Sequence, residues 1–417
     1  MMFVVNYRTP SIAMTEPNET DLLITGVRAL EPGEGIVAEW IRVGGGKIAQ
    51  LGRGGIEPPN CPRRIDGGCR LLTPGLIDIH THGVERFIYE PDPEQLVAAS
   101  LRLGRYGTTC VLPTVAAALV PERLDALPPL AAAFECCAGA SMPGFHLEGP
   151  FLALPGAGVK TLVGDPALLN ELWLAAGGKI AAMSISPETP NVLAVIERLC
   201  ELGVVPLITH TRATVEQTQA AIDAGARHAT HFYDVFPLPD ETDPGVRPAG
   251  AVEAVLADSR CSLDVIADGV HVHPTAVRAA AAAKGFRNFM LITDSNVGAG
   301  LPPGVYDSPL GRVKTGAAAR LDCPGRPGDG CLAGSTLTMD RGMANLLEWL
   351  DWPDEQIWAA GTANPARLLG LSDKGTLRVG ADADLVLWEQ TDAGPRAAKT
   401  WVAGRCIFDS NEDKENL

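Results

Sequence analysis

Eight apolar, β-branched runs recur through the middle of this chain, and Ala/Leu-rich stretches of helical period lie between them. The runs fall at 70–79, 108–114, 144–149, 179–188, 204–210, 226–234, 261–269 and 288–294. The intervening stretches include PEQLVAASLRLGRYG, ATVEQTQAAIDAGA and TAVRAAAAAKG, the last two closing on Gly as helices tend to. Strands alternating with helices imply a parallel sheet, and eight such units predict an α/β architecture closed into a (β/α)8 TIM-type barrel. An open doubly wound sheet would normally offer a Gly-rich phosphate turn after its first strand, and no G-x-G-x-x-G stands there.

The chain ends read differently. Residues 21–72 (DLLITGVRAL, then GIVAEWIRVGGGKIAQLG) form short alternating runs joined by Gly turns, and a similar piece returns at 376–408. Together they predict a small β-sandwich domain built from N- and C-terminal segments, with the barrel at 73–375, an N-terminal extension at 1–20 and an acidic tail at 409–417. At 417 residues and 46% hydrophobic, the chain has material for a large core.

A formal charge of −16 with no Lys/Arg-rich run excludes nucleic acid as the expected partner, because nothing displaces counterions from phosphates. The start, MMFVVNYRTPSIAM, lacks a basic region followed by a long apolar stretch and a cleavage site, and no run of 18 apolar residues occurs. The expectation is therefore a cytoplasmic protein with no membrane partner. Ten cysteines without a C-x-x-C pair argue against a disulfide frame or a zinc knuckle.

In a barrel the chemistry sits where the strands end. The first run ends in His80-Thr81-His82, the third in His146-Leu147-Glu148, the fifth in His210, the sixth in His231, the seventh in Asp268 with His271 beyond, and the eighth in Asp294. Residues i and i+2 of a strand point to the same side, so His80 and His82 would project together. Imidazoles and carboxylates are what zinc or ferrous iron take as ligands, and a catalytic site leaves one position open for water. A lone strand His is usually a satisfied core residue, and a lone Asp after a strand often only caps a helix. Of the eight His in the chain, however, four sit at predicted strand ends beside a Glu and an Asp, which favours a shared site over scattered packing. His146 could pack or support the site, and His228 and His273 are read as structural. Nucleophilic hydrolysis finds no G-x-S-x-G elbow after a strand.

These segments resemble the N-acetylglucosamine-6-phosphate deacetylases of the amidohydrolase superfamily. The resemblance is carried by TPGLIDIHTHG (73–83), GFHLEGPFL (144–152), THFYD (230–234), IADGVHVHP (266–274), LITDSNVGAGLPPGVY (291–306) and KGTLRVGADADLVLW (374–388), in order along nearly the whole chain. It implies Glu148, His210 and His231 as the main metal ligands, His80 and His82 as ligands of a second ion, and Asp294 as general base and then acid. One or two divalent ions, zinc or iron, would serve a small-molecule N-acetylated amino sugar. His271 would contact a sugar hydroxyl, the turn after Asp294 would line the pocket, and the protein would be a homodimer.

The departures fall at the phosphate end. The family usually reads T-H-L-F-N-A-M followed by R-E-P-G, where this chain has Tyr233-Asp234-Val235 and then Thr242-Asp243-Pro244-Gly245. A carboxylate facing a phosphate is repulsive, and Thr cannot form the bidentate charged pair that Arg makes. The family's G-A-H becomes Gly156-Ala157-Gly158, leaving Arg247 or Lys160 as the cations that could compensate. The expectation is an intact amide-cleaving centre with substrate contacts at His271, Asp234, Tyr233, Arg247 and Gly158, and a rebuilt distal pocket for an unphosphorylated or differently substituted sugar. The alternatives are another amidohydrolase-superfamily reaction on a cyclic amide or an N-acylamino acid, and a catalytically silent scaffold.

Overall fold

The computed structural model describes residues 21–54, 59–61, 63–156, 160–241, 243–308, 311–325 and 328–413. The N-terminal extension at 1–20 and residues 414–417 of the acidic tail lie outside the described residues. Among the described residues no helix is long and apolar enough to cross a membrane.

Eight parallel strands run round the barrel in sequence order: β1 (Leu76–Thr81), β2 (Thr108–Val115), β3 (Phe145–Glu148), β4 (Ile180–Ile185), β5 (Val205–Ile208), β6 (His228–Ala229), β7 (Ser262–Ile266) and β8 (Phe289–Ile292). Alternate residues enter different cores, as a pleated strand requires. Ala182, Leu207, Ile266, Met290 and Ile292 belong to one buried cluster. Their neighbours Met183, Ile208, Val265 and Leu291 belong to the larger one shared with the helices. Strands covered on both faces need continuous apolar runs, and this is why the eight segments stand out in the sequence.

The helices follow their strands as α1 (Pro93–Leu103), α2 (Leu127–Ala133), α3 (Pro166–Ala175), α4 (Val192–Glu201), α5 (Val215–Ala224), α6 (Ala251–Ala257), α7 (Pro274–Lys284) and α8 (Met339–Trp349). Side chains cap several of the starts. Asp92 and Asp165 accept from the backbone N–H groups of Glu94 and Ala167, and Thr214 with Gln217 forms a reciprocal capping box.

β1 and β8 meet at a seam. At its upper end the Asp294 N–H donates to the His80 carbonyl (2.8 Å), and the Thr293 hydroxyl donates to Asp78 (2.6 Å). Lower down the strands diverge and a turn fills the gap, with Ile77 N–H bonded to the Gly361 carbonyl (2.8 Å) and Leu291 N–H to that of Ala360 (3.0 Å). The barrel is thus nearly closed.

The two chain ends share one seven-stranded sheet. Arg64–Pro74 is the joining strand, parallel to Leu22–Glu31 on one side and antiparallel to Leu385–Thr391 on the other. The sheet has its own core, including Leu22, Ile24, Ile41, Leu72, Leu385 and Trp401. Trp388 ties it to the barrel through its ring, tilted against that of Trp358 at 5.0 Å, while its indole N–H donates within the sheet to Thr73 Oγ1 (2.8 Å). A further three-stranded antiparallel sheet (Val305–Ser308, Gly311–Thr315, Ala319–Asp322) follows β8, in a stretch to which the sequence pattern assigns no element.

Removing the Trp388 ring leaves a large cavity between sheet and barrel. Trp388→Ala is expected to lower stability by about 3–5 kcal/mol, read as a shifted urea midpoint.

Candidate active site

At the C-terminal ends of the strands, Glu148, His210, His231, Asp294, His82 and His271 line one cavity of about 200 Å³. His80 lies fully buried beneath it. Three of these side chains are aimed by backbone in the left-handed region, with φ of 47° at His210, 36° at His231 and 46° at Asp294. Non-Gly residues rarely adopt that conformation, and it persists only where surrounding contacts over-determine it. Its effect is to turn each side chain out of the strand direction.

Glu148 is the hub. Its Oε1 lies 3.1 Å from His210 Nε2, 3.5 Å from His231 Nε2 and 3.8 Å from His80 Nε2, while Oε2 lies 3.4 Å from His82 Nε2. Asp294 Oδ1 stands 3.3 Å from His82 Nε2 and 3.6 Å from His80 Nε2. Two ligands around one ion at zinc-like bond lengths lie about 3.4 Å apart. Two groupings keep all donor atoms within 4.8 Å of one another: His80, Glu148 and His231, and His80, His82 and Asp294.

The electrostatics match a cation-shaped gap. Burial opposes the charge on Glu148, yet hydrogen bonds from His210, His231 and His82 hold its carboxyl well below the usual range. Burial would depress His231, but Glu148 and Asp234 raise it to about 9. His82 is likewise raised against burial by Asp294 and Glu148. Burial, then His146, keeps His80 well below the ordinary imidazole value, so its ring is neutral. Two buried ring nitrogens, His80 Nε2 and His210 Nδ1, have no hydrogen-bond partner among the described residues. His80 Nε2 is a bare lone pair beside two carboxylates, Glu148 at 3.8 Å and Asp294 at 3.6 Å, while His210 turns its other nitrogen to Glu148; such a donor set fits a divalent ion.

A buried network sets the His80 tautomer. The Thr230 hydroxyl donates to Asp264 Oδ1 (3.3 Å), so its oxygen accepts from His80 Nδ1 (3.0 Å), leaving Nε2 bare toward the cavity. Asp264 Oδ1 also accepts the backbone N–H of His231 (2.5 Å), and its Oδ2 is held by His228 Nε2 (2.7 Å). His228 is structural, as read, and the structure it supports is the floor of this site. His146 bonds Thr114 and Ser184 and sets its ring edge-on to His80 at 4.4 Å. His273 caps α7.

The proposed substrate contacts separate. His271 and Asp234 line the cavity, and the His271 Nδ1–H is pinned by Asp268 (2.7 Å). Tyr233 turns instead onto the Phe232 ring (4.5 Å), and Arg247 is drawn into an exposed pair with Glu253 (2.7 Å); neither is among the described lining residues. Gly158 and Thr242 lie outside the described residues. The turn after Asp294 contributes Asn296, and Leu332, Ala333 and Gly334 come from beyond the small three-stranded sheet. Glu90 and Arg123 also line the cavity and were not singled out from sequence, since they sit in loops without a periodic signature.

Gly156 backs the His210 ring so closely that an added Cβ would fall 2.5 Å from its Cε1. Gly156→Ala must therefore displace that ring. Divalent-ion affinity is expected to fall about tenfold or more in a metal titration while the circular dichroism spectrum stays native.

Comparison with known proteins agrees with this geometry. The Amidohydrolase family model matches residues 71–407. The N-acetylglucosamine-6-phosphate deacetylase of Vibrio furnissii is 33% identical over 346 residues, spanning 81% of this chain and 83% of that protein. The Bacillus subtilis (strain 168) enzyme of the same name is 32% identical over 381 residues, 88% and 92% of the two chains. The D267A mutant of the N-acetyl-D-glucosamine-6-phosphate deacetylase from Mycobacterium smegmatis, solved with N-acetyl-D-glucosamine-6-phosphate, superposes with a TM-score of 0.80 at 28% identity, covering 93% of this chain and 99% of that one. With eight parallel strands ending in a His/Glu/Asp cluster able to bind a metal, and relatives of this identity over most of its length, the chain belongs to the amidohydrolase family, among hydrolases that act on linear amide bonds.

Proposed function

We propose that this protein hydrolyses the N-acetyl amide of an amino sugar, releasing acetate and the free amine, with a distal pocket that differs from the one the sequence resemblance implies. The observation that carries this reading is the meeting of Glu148, His210 and His231 within 3.5 Å contacts, with Asp294 on the same cavity.

Glu148, His210 and His231 would hold the principal ion, of the zinc or iron class, and His80 with His82 would serve a second. Such an ion, when bound, lowers the pKa of a water and polarises an amide carbonyl. Asp294 is the base: its carboxylate takes the proton from the attacking water and returns it to the departing nitrogen. The hydrogen bond from its own N–H to the His80 carbonyl fixes where that carboxylate stands. His271, with Nδ1–H committed to Asp268, keeps Nε2 for a sugar hydroxyl, and Asp234 is an acceptor for another. Asp234 has 26% of its side chain exposed and stands where the resemblance expects an amide toward phosphate, which supports a changed distal substituent.

Acetate release by metal-loaded protein across phosphorylated and neutral N-acetylhexosamines, cyclic amides and N-acylamino acids tests the reading. Release from the sugars is expected, and turnover confined to cyclic amides or N-acylamino acids would falsify it. Asp294→Asn is expected to lower turnover roughly 100- to 10,000-fold with metal content unchanged. Loss of the metal instead would reassign Asp294 as a principal ligand.

A further inference from the structure

The cavity contains one permanent cation that neither the sequence pattern nor the proposed mechanism employs. Glu90, on the loop after β1, accepts three successive backbone N–H groups, from Ala116 (2.7 Å), Ala117 (2.9 Å) and Ala118 (3.2 Å). This clamp fixes the exit from β2. The chain then enters a short 3₁₀ turn, Pro121–Ala126, which carries Arg123 to the cavity wall.

Arg123 is the one Lys or Arg among the described lining residues. Other loop and edge arginines are neutralised: Arg247 by Glu253 (2.7 Å), Arg260 by Asp258 (2.6 Å) and Arg312 by Asp322 (2.7 Å). No such ion pair engages the Arg123 guanidinium among the described residues. Four described carboxylates share its cavity: Glu90 is held by the three N–H groups, Glu148 by imidazoles, Asp294 stands 3.3 Å from His82, and Asp234 lies 4.0 Å from His231 Nδ1. β2 and β6 stand four places apart in a ring of eight strands, so the segments that carry Arg123 and Asp234 to this cavity leave the barrel on opposite sides.

A guanidinium stays charged at every physiological pH and offers a planar fork of donors matched to carboxylate or phosphate. We propose that Arg123 is a specificity-determining residue that binds an anionic substituent of the substrate, a phosphate or a carboxylate. The anionic end then lies on the β2 wall, away from Asp234, and this chain supplies its own cation. This inference rests on the amino-sugar reading above and narrows it to acidic N-acetylamino sugars.

The experiment compares kcat/KM for acetate release from N-acetylglucosamine-6-phosphate, a carboxylate-bearing N-acetylamino sugar and neutral N-acetylglucosamine, in the metal-loaded protein and in Arg123→Met. The native protein is expected to prefer one of the two anionic sugars, and which one identifies the substituent. Arg123→Met should lower the anionic-to-neutral ratio about tenfold or more, the scale of a lost charge-assisted pair. Arg123→Lys should recover part of it, since it keeps the charge without the fork. A native protein indifferent to charge, or a ratio that Arg123→Met leaves in place, overturns the inference while acetate release leaves the deacetylase reading standing. No acetate from any of the three sugars brings both down together.

Discussion

A carboxylate that is 6% exposed cannot rely on water, and the interior of this barrel is arranged around that fact at Glu148. An isolated buried charge is expensive, so it survives only where other groups answer it. Here four imidazoles do so, from the ends of β1, β5 and β6. Three of them arrive with their own support: Thr230 behind His80, Thr209 and Asp264 around His231, the missing side chain of Gly156 in front of His210. Strand order matters because it brings residues 148, 210 and 231 to one point. The paired strands and the Ala360–Gly361 wedge in the seam hold them there.

The barrel was legible because strands buried on both faces leave a strong mark, and all eight runs overlap strands of the ring, although the first, at 70–79, begins in the joining strand Arg64–Pro74 of the other sheet. The polar ends were legible because an imidazole or carboxylate closing an apolar run contrasts with its surroundings. What escaped is long-range or aperiodic. The sheet at 305–322 is short and half-exposed, with Gly and Pro around it, so nothing in its composition separates it from loop. Asp264 lies inside an apolar run and reads as an oddity until His228, Thr230 and the His231 backbone appear around it. Arg123 and Glu90 meet the cavity only through the path of two loops, and no spacing rule encodes that.

Candidate substrate contacts were harder to place than candidate metal donors for a related reason. The candidate donors sit at strand ends, whose direction the barrel dictates. Tyr233 and Arg247 sit in the connection after β6, where the nearest favourable partner decides the outcome, an aromatic ring for one and Glu253 for the other. The sheet built from both chain ends lies outside this competition. It is joined to the barrel through the Trp388–Trp358 ring contact and the Lys374–Asp384 pair (2.7 Å), away from the loops above the strands.

The Thr230 hydroxyl behind His80 bears on how many ions the barrel mouth can coordinate. A neutral imidazole whose Nδ1 proton is already given away owns a single lone pair, and one lone pair serves one cation. His80 nevertheless completes both tight donor groupings, the one through Glu148 and His231 and the one through His82 and Asp294. An ion that takes His80 in one of these groupings leaves the other with two of its three donors, whereas Glu148 with His210 and His231 is a set that does not draw on His80 at all.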